Sequence, residues 1–241
     1  PAPDFSMYPI FTTIAHGQHV QAVDLSYEAI VEAIETHHPK LLLLSNPNNP
    51  TGKLWTVAEL THLASLVPYL VVDEAYMDFT PDGSMIPFIA NHPNLIVLRT
   101  MSKAFGLANV RIGFMVTNNE LAHYFRQFIP PFNISGVSAK ICNIFLKDAT
   151  YLQETIEWHD EMRQKWASAF NSIGHVLPAS TNFLYIELEQ PEAVWTHLTA
   201  LNVHTSKQPT GIRVTIGDEA ALHLAHTAIQ RFIETSHVKN S

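Results

Sequence analysis

The stretch Leu41-Leu-Leu-Leu-Ser-Asn-Pro-Asn-Asn-Pro-Thr-Gly52 decides how this chain is read. Four consecutive leucines with no polar alternation suit a strand covered on both faces, as the strands of parallel sheets are. They run straight into a loop of Asn and Pro, residues that favour turns over helix or strand. The same construction returns twice. Tyr69-Leu-Val-Val-Asp-Glu-Ala-Tyr76 ends its apolar run in two acids, and Leu95-Ile-Val-Leu-Arg-Thr-Met-Ser-Lys103 ends in polar residues with Arg111 soon after. In an open parallel sheet, ligands bind beyond the carboxyl ends of the strands. The three polar segments are therefore expected on one rim, around one site.

Helical patterns lie between and around these runs. Ser26 is placed to cap a helix carrying Ala29, Ile30, Ala33 and Ile34 on one face. Thr56-Val-Ala-Glu59 is a capping box, opening a helix that presents Leu60, Leu63, Ala64 and Val67. Val20–Val23 reads as a short strand and Ile112–Val116 as another, with Asn119 capping a helix to Phe128. This βαβ rhythm predicts an α/β fold with a mainly parallel sheet sandwiched by helices. From about Ser138 the pattern changes. It becomes helix to Ile173 with a break near Asp148, strand Asn182–Ile186, helix Pro191–Leu201, strand Ile212–Ile216 and a final helix from Asp218. That order predicts a small C-terminal α+β domain at 151–241 beside a large domain at 1–150.

Composition narrows the function. The 241 residues, 46% apolar and 15% charged, are those of a globular chain able to bury a core. A formal charge of -8 without basic runs argues against a nucleic-acid partner, which needs a clustered positive face. The 14 histidines are scattered, and His37-His38 reads as a solvated helix end, so no metal is expected. Cys142 stands alone, which leaves no internal disulfide or thiolate cluster, and its neighbours Ile141 and Ile144 suggest a buried small side chain. No window approaches the roughly 18 apolar residues of a membrane span. No signal segment is recognised, so a cytoplasmic protein is expected.

Taken singly, the polar residues have plain readings. Asn49 shapes a turn before Pro50, Asp73 caps a turn, Tyr76 and Phe5 fill core, Lys103 is a surface lysine. Arg213 alternates with Ile212, Val214 and Ile216 and reads as an exposed strand residue. Taken in order, Asn-Pro-Asn-Asn-Pro-Thr-Gly52, Asp73-Glu-Ala-Tyr76, Ser102-Lys-Ala-Phe-Gly-Leu107 with Arg111, and Gly211-Ile-Arg-Val-Thr-Ile-Gly217 resemble the fold-type I aminotransferases. Within these the resemblance is to the histidinol-phosphate aminotransferase family, and it runs through nearly the whole chain.

The resemblance implies the pyridoxal-phosphate-dependent transferase fold and pyridoxal 5'-phosphate as cofactor. An aldehyde cofactor needs an amine to hold it, the role that falls to Lys103. Asp73 would keep the pyridine nitrogen protonated. Asn49 and Tyr76 would serve the phenolate oxygen, Ser102, Arg111 and Thr100 the phosphate, and Phe5 would stack on the ring. Arg213, with Asn49 beside it, would fork onto the substrate carboxylate. The activity implied is ping-pong transamination between an amino-acid-like substrate and an oxo acid. Histidinol phosphate with 2-oxoglutarate in L-histidine biosynthesis is the leading pair, in a homodimer. Two alternatives are a lyase like the threonine-phosphate decarboxylases and a non-catalytic fragment of this fold.

Two departures from the family pattern carry expectations. The chain opens at Pro1 rather than Met, just past the family's N-terminal portion. That portion holds a subunit-crossing arm and a glycine turn that cups the cofactor phosphate at a helix N-terminus. Without it, weak phosphate affinity is expected. The stretch Asn202–Thr210 is also short, and offers His204 and Lys207 where the family places a second, phosphate-binding arginine.

Overall fold

The computed structural model describes residues 1–239. The three apolar runs form strands β1 (Leu41–Ser45), β2 (Tyr69–Asp73) and β3 (Leu95–Thr100), which lie parallel. Ser45 is in register with Asp73, and Asp73 with Leu98, so the polar segments leave the sheet nearly level. The ladder continues past the ends: the Asn46 amide donates to the Asp73 carbonyl and the Glu74 amide to that of Leu98, both at 2.9 Å. The strand expected at 112–116 is present as β4 (Gly113–Val116), yet it runs antiparallel to β3. Between Thr100 and Gly113 there is only one 3-10 turn, Ala108–Val110. Without a crossover helix the chain can return only in the opposite direction.

Helices α1 (Met7–Ile14), α2 (Tyr27–His37), α3 (Val57–Leu66) and α4 (Asn119–Arg126) accompany this sheet. Ser26 caps α2 through the Ala29 amide, and Thr56 and Glu59 form the expected capping box of α3. Each cap contributes about 1 kcal/mol. Ile30, Ile34, Leu60 and Leu63 pack on Leu44, Leu70, Val72, Leu95 and Val97, with Trp55 fully enclosed. Complete burial of one such leucine is worth roughly 1.5–3 kcal/mol.

Two local expectations are corrected. Residues 20–23 form no strand: no neighbouring strand pairs with them, and Val23 is 80% exposed. Apolar residues make a strand only where a ladder partner exists. The cap of α4 is Asn118, whose side chain accepts the Leu121 amide from extended backbone, whereas Asn119 is already helical.

The second half contains α5 (Gly136–Phe145), α6 (Ala149–Phe170), β5 (His175–Val176), β6 (Phe183–Glu187), α7 (Pro191–Ala200), β7 (Ser206–Lys207), β8 (Gly211–Thr215) and α8 (Glu219–Lys239). Asp148 stands at the expected break and caps α6. The four strands make an antiparallel sheet in the order β5-β6-β8-β7. Trp166 and Phe170 of α6, with Leu222, Ala225 and Ile229 of α8, cover Leu184, Ile186, Ile212 and Val214. The first half of α6 faces the other sheet instead: Leu152 and Ile156 pack against Tyr76, Phe79, Ala104 and Phe183. Residue 150 lies in the first turn of this helix.

The sheets also meet at Gly52. Its φ of +81° is left-handed, and a Cβ there would stand 2.5 Å from that of Ala179. Only glycine meets both demands. Cys142 is buried beside Met101, Phe105 and Ile112. Among the described residues no helix is long and apolar enough to cross a membrane, and no group of three His, Cys, Asp or Glu is placed to hold a metal.

Candidate active site

β2 delivers Asp73 to the rim directly behind three buried residues, Leu70, Val71 and Val72. Burial raises the pKa of its carboxyl above the ordinary value. The Tyr8 hydroxyl, the Ala75 amide and the charge of Lys103 act in the opposite sense. Tyr8 Oη donates to Asp73 Oδ2 at 2.8 Å, and the Ala75 amide to Oδ1 at 3.1 Å. Lys103 follows β3 in a loop closed by the Gly106 amide on the Lys103 carbonyl at 2.9 Å. Its ammonium lies 4.9 Å from the centre of the Tyr76 ring. Tyr76 in turn meets Phe183 edge to face at 5.1 Å.

Arg213 arrives from the second sheet. Ile212 and Val214 face that sheet's core, so the alternation of β8 sends Arg213 the other way, toward the first sheet. Its NH1 donates to Asn49 Oδ1 at 2.6 Å, and its guanidinium carbon lies 5.0 Å from the centre of the Phe183 ring. The Nε is buried and has no partner among the described residues. This overturns the reading of Arg213 as an exposed strand residue. A guanidinium with an unmet buried donor is set up for an acceptor. Lys103, Asp73, Tyr76, Asn49 and Arg213 are thus linked by contacts across the rim.

The turn between Asp73 and Tyr76 has its own anchor. Glu74 is wholly buried and accepts the Met85 amide at 2.5 Å, the Ser84 hydroxyl at 2.8 Å and Arg99 Nε at 3.2 Å. Arg99 also pairs with Asp78 at 3.0 Å.

The remaining residues are held more loosely. Thr100 donates to the Ile112 carbonyl at 3.3 Å and accepts the Ser102 amide at 3.1 Å. Arg111 does not open β4, as its place before Ile112 suggested. It has a left-handed φ of 56° after the 3-10 turn, and is exposed, with NH1 on the Ala108 carbonyl at 3.0 Å. A positive φ takes it out of the strand, and its exposure keeps the guanidinium solvated. Phe5 is half-buried, edge-on to Tyr8 at 5.4 Å. Lys207 pairs with Glu192 at 2.5 Å and stands over Trp195, while His204 meets Asn202 at 3.1 Å.

Two residues in the segment around Phe5 come into play to which the sequence assigned no role. One is Tyr8. The other is Asp4, whose Oδ1 accepts the Ser45 hydroxyl, the Phe5 amide at 2.8 Å and Asn48 Nδ2 at 3.3 Å. Its Oδ2 is buried and has no partner among the described residues, and burial pushes its pKa up to about 6. An acid in an apolar segment was the available signal for Asp4. Tyr8 gave none, because its partner lies 65 residues away.

Lysine amine, buried carboxylate and a guanidinium with an unmet donor define a site suited to an amine chemistry on anionic ligands. The chain belongs to the aminotransferase class I and II family, whose model matches residues 1–229. It is 41% identical over 162 residues to the histidinol-phosphate aminotransferase of Clostridium novyi (strain NT), covering 64% of this chain and 45% of that protein. With that of Lactiplantibacillus plantarum it shares 31% identity over 230 residues, 90% of this chain and 64% of the relative. The chain therefore spans about half to two-thirds of the length of the curated relatives it matches. The crystal structure of the histidinol-phosphate aminotransferase from Clostridium acetobutylicum matches with a TM-score of 0.85 at 25% identity, covering 97% of this chain and 76% of that one. The Sinorhizobium meliloti enzyme, solved in complex with pyridoxal-5'-phosphate, matches in fold with a TM-score of 0.86 at 24% identity over 96% of this chain and 68% of that one.

Proposed function

We propose that this chain carries the active-site rim of a pyridoxal-phosphate-dependent aminotransferase, acting on histidinol phosphate with 2-oxoglutarate in L-histidine biosynthesis. The observation that carries the reading is Arg213: buried at Nε, without a partner there among the described residues, and joined through Asn49 to the rim that holds Lys103 and Asp73. The donor set fits the cofactor, with an amine for its aldehyde, a buried carboxylate for its ring nitrogen, and hydroxyls and a guanidinium for its phosphate. When bound, pyridoxal phosphate supplies the electron sink for the substrate's α-electrons.

The chain's residues do the rest. Lys103 Nζ is the amine that would hold the aldehyde, and when free it would serve as the base for the substrate Cα proton. Asp73 pairs with the ring nitrogen and keeps its proton in place. Asn49 and Tyr76 would serve the phenolate oxygen, Phe5 would cover the ring, and Ser102, Thr100 and Arg111 would hold the phosphate. Arg213 forks onto the carboxylate of the oxo acid, with Asn49 aligning it. Histidinol phosphate brings a phosphate instead of a carboxylate, an anion that the same guanidinium suits. Residues 1–150 form the cofactor-binding part and 151–241 the small part in this reading, supported by the largest apolar cluster of each, with Leu152, Ile156 and Phe183 packing across the boundary. A cytoplasmic homodimer completes it: Cys142 is a free thiol, and the exposed side chains of Phe128, Phe132, Ile134 and Val137 offer apolar surface to a second copy.

The test adds pyridoxal phosphate to the purified chain and follows its visible absorbance. A band that is missing in Lys103→Ala, fades with histidinol phosphate and returns with 2-oxoglutarate is the expected result. No band, or the same band in Lys103→Ala, overturns the cofactor assignment. Release of carbon dioxide without any need for an oxo acid makes the chain a decarboxylase instead.

A further inference from the structure

Asp73 has two carboxylate oxygens, and the structure treats them differently. Oδ1 takes the amide of Ala75, a bond that comes with the turn after β2. Oδ2 takes the hydroxyl of Tyr8, which α1 brings in from 65 residues away. Tyr8 is the one buried residue of α1. Its ring is held edge-on by Phe5 at 5.4 Å, and the Thr12 hydroxyl closes on its carbonyl at 2.9 Å. A helix that is otherwise largely exposed, with Ile10, Phe11 and Ile14 facing outward, buries one side chain and directs it at one carboxylate.

We infer that Tyr8 is a positioning residue for Asp73, holding Oδ2 so that the carboxylate stays aligned and charged for the ring nitrogen of the cofactor. The inference rests on the reading of this rim as a pyridoxal-phosphate site. A hydrogen bond donated to a carboxylate favours its ionised form and opposes the effect of burial. The groups facing Tyr8 and Asp73 are few: Asp4 and Ser45 beside the phenol, and Lys103 from the loop after β3. Burial, then the charges of Asp73 and Asp4, hold the phenol far above its ordinary pKa, so Tyr8 remains a donor wherever the chain is folded. Without that donor Asp73 becomes the stronger base. The proton it shares with the ring nitrogen moves toward Asp73, and the cofactor loses the positive charge that favours the unprotonated form at its Lys103 end.

Tyr8→Phe removes the donor and keeps the ring, its burial and its contact with Phe5. The experiment titrates pyridoxal phosphate into the full chain, wild type, Tyr8→Phe and Lys103→Ala, and records cofactor affinity and the pH midpoint of the visible band. The expected result for Tyr8→Phe is an affinity about tenfold weaker and a midpoint about one unit higher. A wild-type midpoint in Tyr8→Phe overturns the inference, whether or not affinity falls, because loss of packing alone does not move a titration. A band in wild type that Lys103→Ala abolishes keeps the cofactor reading standing in that case. No band in wild type overturns both together.

Discussion

Arg213 and Arg111 are the two guanidinium groups of the candidate site, and the chain holds them in opposite ways. Arg213 is presented by a strand of the second sheet, braced over Phe183 and bonded to Asn49, with its Nε buried. Arg111 sits on a left-handed turn, exposed, with its guanidinium on the carbonyl of Ala108 three residues back. The first has its Nε shielded from water and a second nitrogen bonded to Asn49, so its orientation is fixed by the chain itself. The second stays solvated, and its charge acts through a high dielectric. Arg213 is held in place by contacts within this chain, and Arg111 is left on an exposed turn.

The sharpest way to break this comparison is Arg213→Met. It removes the fork and leaves the Asn49 carbonyl without its donor. With Lys103 and Asp73 untouched, the cofactor band should survive while kcat/KM for the oxo acid falls about a hundredfold. Arg213→Lys should recover little of this, since an ammonium has no planar fork. A loss of only a few fold would mean that the buried guanidinium is scaffold.

Arg111→Met should do less and do it differently. Folding should be unchanged, and affinity for pyridoxal phosphate should fall about tenfold at low ionic strength. The wild-type advantage should shrink as salt is added, because exposed charges are screened over about 10 Å at 0.1 M. Salt-independent loss would place Arg111 in a more enclosed setting than the turn indicates.

The smallest effect tests the burial argument at Asp4. Its folded pKa of about 6 lies above the ordinary 3.8, so the folded state binds the proton more tightly. That contribution is complete below about 3.8 and is lost as pH rises through about 6. The melting temperature of wild type relative to Asp4→Asn should therefore drop by a few degrees between pH 4 and pH 7 (about 5 °C at most). A flat difference would show that the Asp4 carboxyl is as well solvated in the folded chain as in the unfolded one.

Much of the frame was legible locally. The leucine run of β1, the valines of β2 and the capping box at Thr56 and Glu59 state their structure within a few residues, because strand burial and helix capping are short-range demands. The level ends of β1–β3 followed from parallel pairing, and with them the meeting of the loops after Ser45 and Asp73. The direction of β4 was not legible, since an apolar pentapeptide reads alike in either sense. Val20–Val23 failed for the same kind of reason: alternation and bulk cannot report whether a neighbouring strand exists. Strands β5 and β7, two residues each, are too short to carry any pattern.

The site divides along that line. The ordered motifs singled out Lys103, Asp73, Tyr76, Asn49 and Arg213 through their resemblance to a family, while each residue alone had a plain structural reading. Which of them touch, and which atoms remain unmet, came only from the tertiary structure. Asn49 and Arg213 are 164 residues apart and Tyr8 and Asp73 are 65 apart. Neither pair leaves a local trace, since a hydrogen bond closing so long a loop is set by the packing of two sheets and a helix. Arg111 shows the same limit. Its place before β4 is plain in the sequence, yet the left-handed torsion that turns it out to water is not.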